Sequence, residues 1–230
     1  MSKVEHHLLP NGVEVDYIDE THEYFINGIK YPSITELLKN KFGNQYNNVN
    51  PEILKRSSEY GTQVHKEIQS LIEMRDAGIE PFSEIQEVCN YFTYVEPIYN
   101  IQPIILEKVV VLYDQNNKPL ACGRMDMLCF INNSLGLVDF KTTSSINRKY
   151  VTAQLNLYYK AACQSGYIDT DIYYDIQLGV IHLSGTTAKL IPMSKLFLTI
   201  PGWCMEIPVL KSRSRASEIL KILEIFYGNL

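Results

Sequence analysis

Apolar and polar residues alternate over two short N-terminal stretches, 12–18 and 23–31, with turn chemistry at Asn11-Gly12 and Asn27-Gly28. This pattern predicts two strands forming an accessory hairpin. A helix opens at Pro32-Ser33-Ile34-Thr35-Glu36, where Ser33 and Glu36 have the spacing of a capping box ahead of Leu37 and Leu38. The Asn-rich segment 43–50 ends it. Ile53, Val64, Ile68, Leu71 and Ile72 then recur at helical spacing and predict a long helix over 51–77, with Gly61 as the point where it could break. Another helix is expected over 83–99. Runs rich in Val, Ile, Leu and Phe at 104–113, 120–131 and 135–141 read as three strands. A helix at 149–164, strands at 172–183 and 186–192, and a terminal helix at 212–227 complete the pattern.

Helices, a strand meander, a helix and further strands imply an α/β architecture, a central mixed β-sheet flanked by helices with the N-terminal hairpin and helical additions. No repeat or low-complexity tract interrupts it, so one domain over 1–230 is expected, with 1–50 accessory, 51–200 the core and 201–230 a C-terminal helix. Hydrophobic residues make up 46% and charged residues 20%, ordinary proportions for a globular chain. No apolar run is long enough to span a bilayer, and the polar start lacks a signal-peptide core, so a cytoplasmic location with no membrane partner is expected. The five cysteines, Cys89, Cys122, Cys129, Cys163 and Cys204, are scattered and never form a C-x-x-C pair, so neither a disulfide framework nor a zinc site is indicated.

The net charge of −5 argues mildly against a nucleic-acid partner, but its distribution changes the picture. From Lys141 to Tyr167 there is no acidic residue, while Lys141, Arg148, Lys149 and Lys160 are basic. Arg148, Lys149 and Lys160 are therefore candidates for a phosphate-facing patch, the alternative being a solvated helix face with a chance charge bias.

The strands around Gly123-Arg124-Met125-Asp126 and Val138-Asp139-Phe140-Lys141 carry the candidate chemistry. A two-residue turn at Asn132-Asn133 would place Asp126 opposite Asp139, with Cβ atoms about 5 Å apart on one face. Lys141 projects to the same face as Asp139. A turn two residues longer would instead set Asp126 opposite Lys141. Two facing carboxylates in an apolar sheet repel and lose hydration, so a compensating charge is required. Either Mg²⁺ or Mn²⁺ supplies it, held by the carboxylates and a backbone carbonyl such as that of Phe140, or Lys141 neutralises one Asp while the other reaches solvent. His65, on the apolar side of the long helix, could be a structural residue or a ligand to the same cation. Gln154 and Tyr158 share a helix face at i and i+4 and could address the site.

The ordered set Gly61-Thr62 with His65, Gly123 to Asp126, Val138-Asp139-Phe140-Lys141-Thr142-Thr143, and Gln154 followed by Tyr158 resembles the RecB-like branch of the PD-(D/E)XK nucleases, in particular phage-type exonucleases and mitochondrial genome maintenance exonucleases. Tyr24-Phe25-Ile26-Asn27-Gly28 and Tyr31-Pro32-Ser33-Ile34-Thr35 extend the likeness, which covers about residues 20–165. It implies that His65, Asp126, Asp139 and the Phe140 carbonyl bind one or two Mg²⁺ or Mn²⁺ ions, with Glu107 a further ligand. It implies that Lys141 activates or positions the attacking water, and that Gln154 and Tyr158 support the site and the DNA strand. Met125 stands where the superfamily name has Pro, and Asp139 where it allows Glu. Some relatives carry an iron–sulfur cluster on one early and three late cysteines; only Cys204 lies beyond Cys163 here, so no cluster is expected.

The expected function is a metal-dependent DNA exonuclease acting on single strands or duplex ends, in phage-type recombination or repair and with recombination or replication proteins as possible partners. The rivals are an endonuclease or resolvase of the same fold, a silent nucleic-acid-binding module, and a structural protein whose acidic pair is a folding device.

Overall fold

A computed structural model describes residues 3–43, 49–80, 82–169, 171 and 176–195. The expected helix at 212–227, Cys204 and the start of the strand expected at 172 lie outside the described residues.

The N-terminal region is a four-stranded antiparallel sheet rather than a two-stranded hairpin: β1 (Val4–Leu8), β2 (Glu14–Ile18), β3 (Glu23–Ile26) and β4 (Ile29–Tyr31), in that spatial order. Asn27 and Gly28 both take positive φ, 51° and 74°, the conformation of a tight hairpin turn, and so split the expected second strand in two. β1 escaped the sequence pattern because its residues alternate only between exposed and half-buried positions. Val15, Tyr17, Tyr24 and Ile26 form the buried face of this sheet.

Helix α1 (Ile34–Phe42) begins as the capping pattern predicts, with Ser33 Oγ accepting the Glu36 N–H at 3.0 Å. Helix α2 (Pro51–Asp76) runs through Gly61 without a break; Asn50 caps it and Pro51 occupies its first turn. Residues 51–60 of α2 are exposed, whereas Val64, Ile68, Leu71 and Ile72 are buried. The helix expected at 83–99 is shorter and irregular: α3 (Gln86–Asn90) passes into a π-helical turn, Tyr91–Val95.

The main sheet contains β5 (Ile101–Tyr113), β6 (Pro119–Ile131), β7 (Ser134–Lys141), β8 (Gln177–Ser184) and β9 (Thr187–Met193), in that order. The first three form an antiparallel meander; β7 and β8 are parallel, joined across α4 (Arg148–Gln164), and β9 returns antiparallel. The sheet is mixed and the chain α/β, as its pattern predicts. Asn132 and Asn133 form the two-residue turn, both at positive φ, and fix Ile131 opposite Ser134.

Three apolar clusters hold these layers. One joins α1 and α4 to the sheet, a second joins α2 and the π-helical turn to the opposite face, and the third seats the N-terminal sheet on Val109, Val111 and Cys122. Helix α4 is buried continuously from Val151 to Tyr159. Gly123 is needed for its approach, because a Cβ there would lie 2.6 Å from Tyr158 Cε1 and 3.1 Å from Ile34 Cδ1. Gly123→Ala is therefore expected to destabilise the chain by about 1–3 kcal/mol through overpacking. Urea unfolding checks this; an unchanged midpoint would show that the α1–α4 contact yields freely.

Candidate metal centre

Carboxylates from three neighbouring strands meet at one level of the main sheet. Leu106 pairs with Met127 and Lys108 with Met125, so Glu107 falls opposite Asp126. Met127 pairs with Val138, so one step further Asp126 falls opposite Asp139, the register expected from the Asn132-Asn133 turn. Neither level is closed by ordinary ladder bonding. Glu107 sits at φ 48°, strained for a residue with a side chain. Asp126 Oδ2 accepts the Phe140 N–H at 2.7 Å.

The distortion also exchanges the faces of β5 and β6. Ile105 and Leu128 pack on the α4 side and Leu106 and Met127 on the α2 side. Beyond the carboxylates, Val110 and Met125 face α4 while Val109 and Cys122 face the N-terminal sheet. Strict alternation would carry Asp126 to the α4 side with Leu128. The break turns it toward α2, where His65 Nδ1 lies 3.5 Å from its Oδ2. Val64 and Ile68 anchor this part of α2 in the core, and the His65 ring rests 5.5 Å from that of Phe140.

His65, Glu107 and Asp126 each offer a ligand atom within 4.8 Å of the others. All three are half-buried and line a cleft of about 220 Å³ between α2, the start of α1 and the N-terminal sheet. Burial, reinforced by repulsion from Asp126, pushes the Glu107 carboxyl up to about 8, against the pull of Arg124, whose Nε lies 2.9 Å from Glu107 Oε2. Glu107, expected only as a supplementary ligand, is thus central to the group.

Asp139 is directed to the α4 side with Leu137, so the expectation that Asp126 and Asp139 share one face does not hold although their register does. Its Oδ2 is 2.5 Å from Lys141 Nζ and its Oδ1 accepts from Gln154 Nε2 at 3.1 Å. Burial raises the Asp139 pKa, Lys141 opposes the rise and Asp126 adds to it. Burial works against the Lys141 ammonium, but Asp139 and Asp126 together hold its pKa above the ordinary lysine value. Gln154 thus reaches the site through Asp139. Its own Oε1 is buried and has no hydrogen-bond partner among the described residues. Tyr158 is 7% exposed and lines the cleft.

The basic residues of α4 do not join Gln154 and Tyr158 in one outward face. Gln154 and Tyr158 are buried against the sheet, and Arg148 donates to the Pro192 carbonyl of β9 at 3.0 Å. Lys149 is exposed at the first turn. Lys160, two positions beyond Tyr158 and so on the opposite side of the helix, is half-buried, and burial lowers its pKa to about 8 despite Asp114. From Val151 to Tyr159 the absence of acids goes with the burial of α4. The cations at the cleft are Lys66 and Arg124, to which the sequence pattern assigned nothing. Arg124 stands two residues before Asp126, a signal that could have been used; Lys66 offered none beyond adjacency to His65.

Among the described residues no helix is long and apolar enough to cross a membrane. If one cation replaces the proton on Glu107, its affinity should rise as that proton is lost. Mn²⁺ binding should strengthen between about pH 6 and about pH 8, approaching a factor of ten per unit for one displaced proton. Calorimetric titration checks this, and Glu107→Gln should weaken binding while flattening the dependence. Affinity independent of pH in the unsubstituted chain would remove Glu107 from the ligand set.

The chain matches no protein-family model and no curated protein. Among solved structures it aligns with one described as the crystal structure of SSO0001, at 16% identity over 84% of this chain and 85% of that one, with a TM-score of 0.31.

Proposed function

We propose that this chain is a metal-dependent DNA nuclease of the RecB-like PD-(D/E)XK type, an exonuclease acting on single strands or duplex ends. The observation that carries the reading is the gathering of Glu107, Asp126 and Asp139 at one level of the sheet, with His65 on one side and Lys141 on the other. The donor set suits Mg²⁺ or Mn²⁺: two carboxylates and an imidazole converge, and burial with repulsion from Asp126 raises the Glu107 carboxyl to about 8, a cost that a cation would relieve. His65, Glu107 and Asp126 would hold the ion, while Asp139, engaged by Lys141 and Gln154, would stand behind them as a neighbouring carboxylate. When bound, it would lower the pKa of water and neutralise charge on a scissile phosphate.

The surrounding residues have separable tasks. Phe140 N–H fixes one Asp126 oxygen; in an extended residue the N–H and C=O leave on the same edge, so the Phe140 carbonyl would be available to the ion as a further oxygen ligand. Gln154 fixes the orientation of Asp139. Asp139 in turn keeps Lys141 charged and close, so that its ammonium can orient a water or stabilise charge developing on phosphate.

The test is digestion of 5′- and 3′-labelled single-stranded, duplex and circular DNA with Mg²⁺, Mn²⁺ or EDTA. Cleavage of linear DNA from an end, abolished by EDTA and absent on circles, is expected; nicked circles would make it an endonuclease, and no cleavage of any substrate would defeat the reading. Lys141→Ala should lower kcat by about 10²–10³ with Mn²⁺ affinity retained. Turnover equal to the parent chain would exclude Lys141 from the chemistry.

A further inference from the structure

Beside the carboxylates, Lys66 and Arg124 line the cleft and share one carboxylate partner at its edge. Asp19, at the turn after β2, places Oδ2 2.9 Å from Lys66 Nζ and Oδ1 3.7 Å from Arg124 Nη2. Tyr17 Oη donates to the same Oδ1 at 3.0 Å. Lys66 and Arg124 come from α2 and β6, so a carboxylate borne by the accessory sheet bridges two cations of the main body. Arg124 is the connecting piece: its Nε engages Glu107 at 2.9 Å, its guanidinium lies 5.1 Å from the Tyr17 ring centre, and an Nη faces Asp19. The turn that carries Asp19 ends at His22, which lines the cleft, takes φ 54° and meets Tyr17 Oη through Nδ1 at 2.8 Å.

We propose that Lys66 and Arg124 form an anion subsite for a backbone phosphate of the substrate, and that Asp19 occupies this subsite until substrate displaces it. The proposal rests on the nuclease reading for the identity of the anion, not for the existence of the subsite. A carboxylate and a phosphate present similar oxygen acceptors to ammonium and guanidinium donors, so the contacts made by Asp19 are the ones a phosphate would take over. The side chains of Asp19 and Lys66 are 33% and 54% exposed, so their pair is open to exchange and weakly held. Arg124, at 22%, would keep its place over the Tyr17 ring while its Nη changes partner. The subsite answers an electrostatic problem of the cleft: its carboxylates repel a polyanion, and Lys66 and Arg124 are the cations lining it among the described residues.

The experiment measures binding of a fluorescent oligothymidylate in Ca²⁺, together with calorimetric titration by inorganic phosphate in metal-free buffer. Asp19→Asn keeps the shape and hydrogen-bonding capacity of the side chain but removes its charge. It should tighten oligonucleotide binding about fivefold or more. Glu20→Gln, an exposed neighbour with the same change in net charge, should alter it by less than about twofold. In a Lys66→Gln background the Asp19→Asn gain should vanish, because the subsite has lost a donor. Asp19→Asn should also show a saturable phosphate site that is absent once Lys66→Gln is added. If Asp19 is only a tether for the N-terminal sheet, Asp19→Asn will lower the melting temperature without strengthening either ligand, and the proposal falls. It falls equally if Glu20→Gln tightens binding as much as Asp19→Asn. A saturable phosphate site without DNA cleavage would uphold the subsite and defeat the nuclease reading. Cleavage with no phosphate site in Asp19→Asn would do the reverse.

Discussion

Three carboxylates at one level of a buried sheet repel one another, and their surroundings are organised to contain that repulsion. Each has a partner of a different kind: Arg124 for Glu107, a backbone N–H for Asp126, and Lys141 with Gln154 for Asp139. The arrangement is costly beyond the charges themselves. A non-glycine residue at positive φ costs of order 1–3 kcal/mol. Full burial of an aliphatic side chain returns about 1.5–3 kcal/mol. Val109, Val110, Val111 and Leu112 follow immediately on β5 and are fully buried, so the strand carries its own compensation next to its distortion.

The distortion also explains where the cleft lies. Because β5 and β6 exchange faces at Glu107 and Asp126, one side of the sheet is covered by α2 at one end and by the N-terminal sheet at the other. The seam between these two covers is where the polar side chains emerge. Helix α4 lies on the other side, supplying Gln154 to Asp139. The site is thus reached from the α2 side, while its lysine is braced from the α4 side. An ideal sheet with unbroken alternation would have buried Asp126 under α4, away from His65.

What could be read in the sequence follows from the range of the interactions involved. The Ser33 cap and the Asn132-Asn133 turn are settled within four residues, and the turn alone carries the register that sets Asp126 opposite Asp139. The continuity of α2 through Gly61 was less legible, because a glycine only weakens a helix and the anchoring of Val64 and Ile68 decides the outcome. Glu107 could not be placed by counting, since alternation fails at that residue. The acid-free stretch suggested a surface for phosphate, but it is equally the signature of a buried helix, and α4 is buried. Asp19, Lys66 and Arg124 meet across separations too long for any local pattern to record.

The negative net charge of the chain says little about what this cleft attracts, because the relevant balance is local. Asp19 and Glu107 approach Arg124 from two sides, so a single guanidinium links the carboxylate group to the accessory sheet. Any change that strengthens the hold of Glu107 on a different positive charge weakens its claim on Arg124, and leaves the guanidinium more available to an anion on its Nη side. Cation binding by His65, Glu107 and Asp126 and anion binding by Arg124 and Lys66 would then favour each other, without either ligand touching the other. A mobile domain is not needed for such coupling. It follows from one arginine shared between two carboxylates in a half-buried cleft, where opposing charges are screened less than at an open surface.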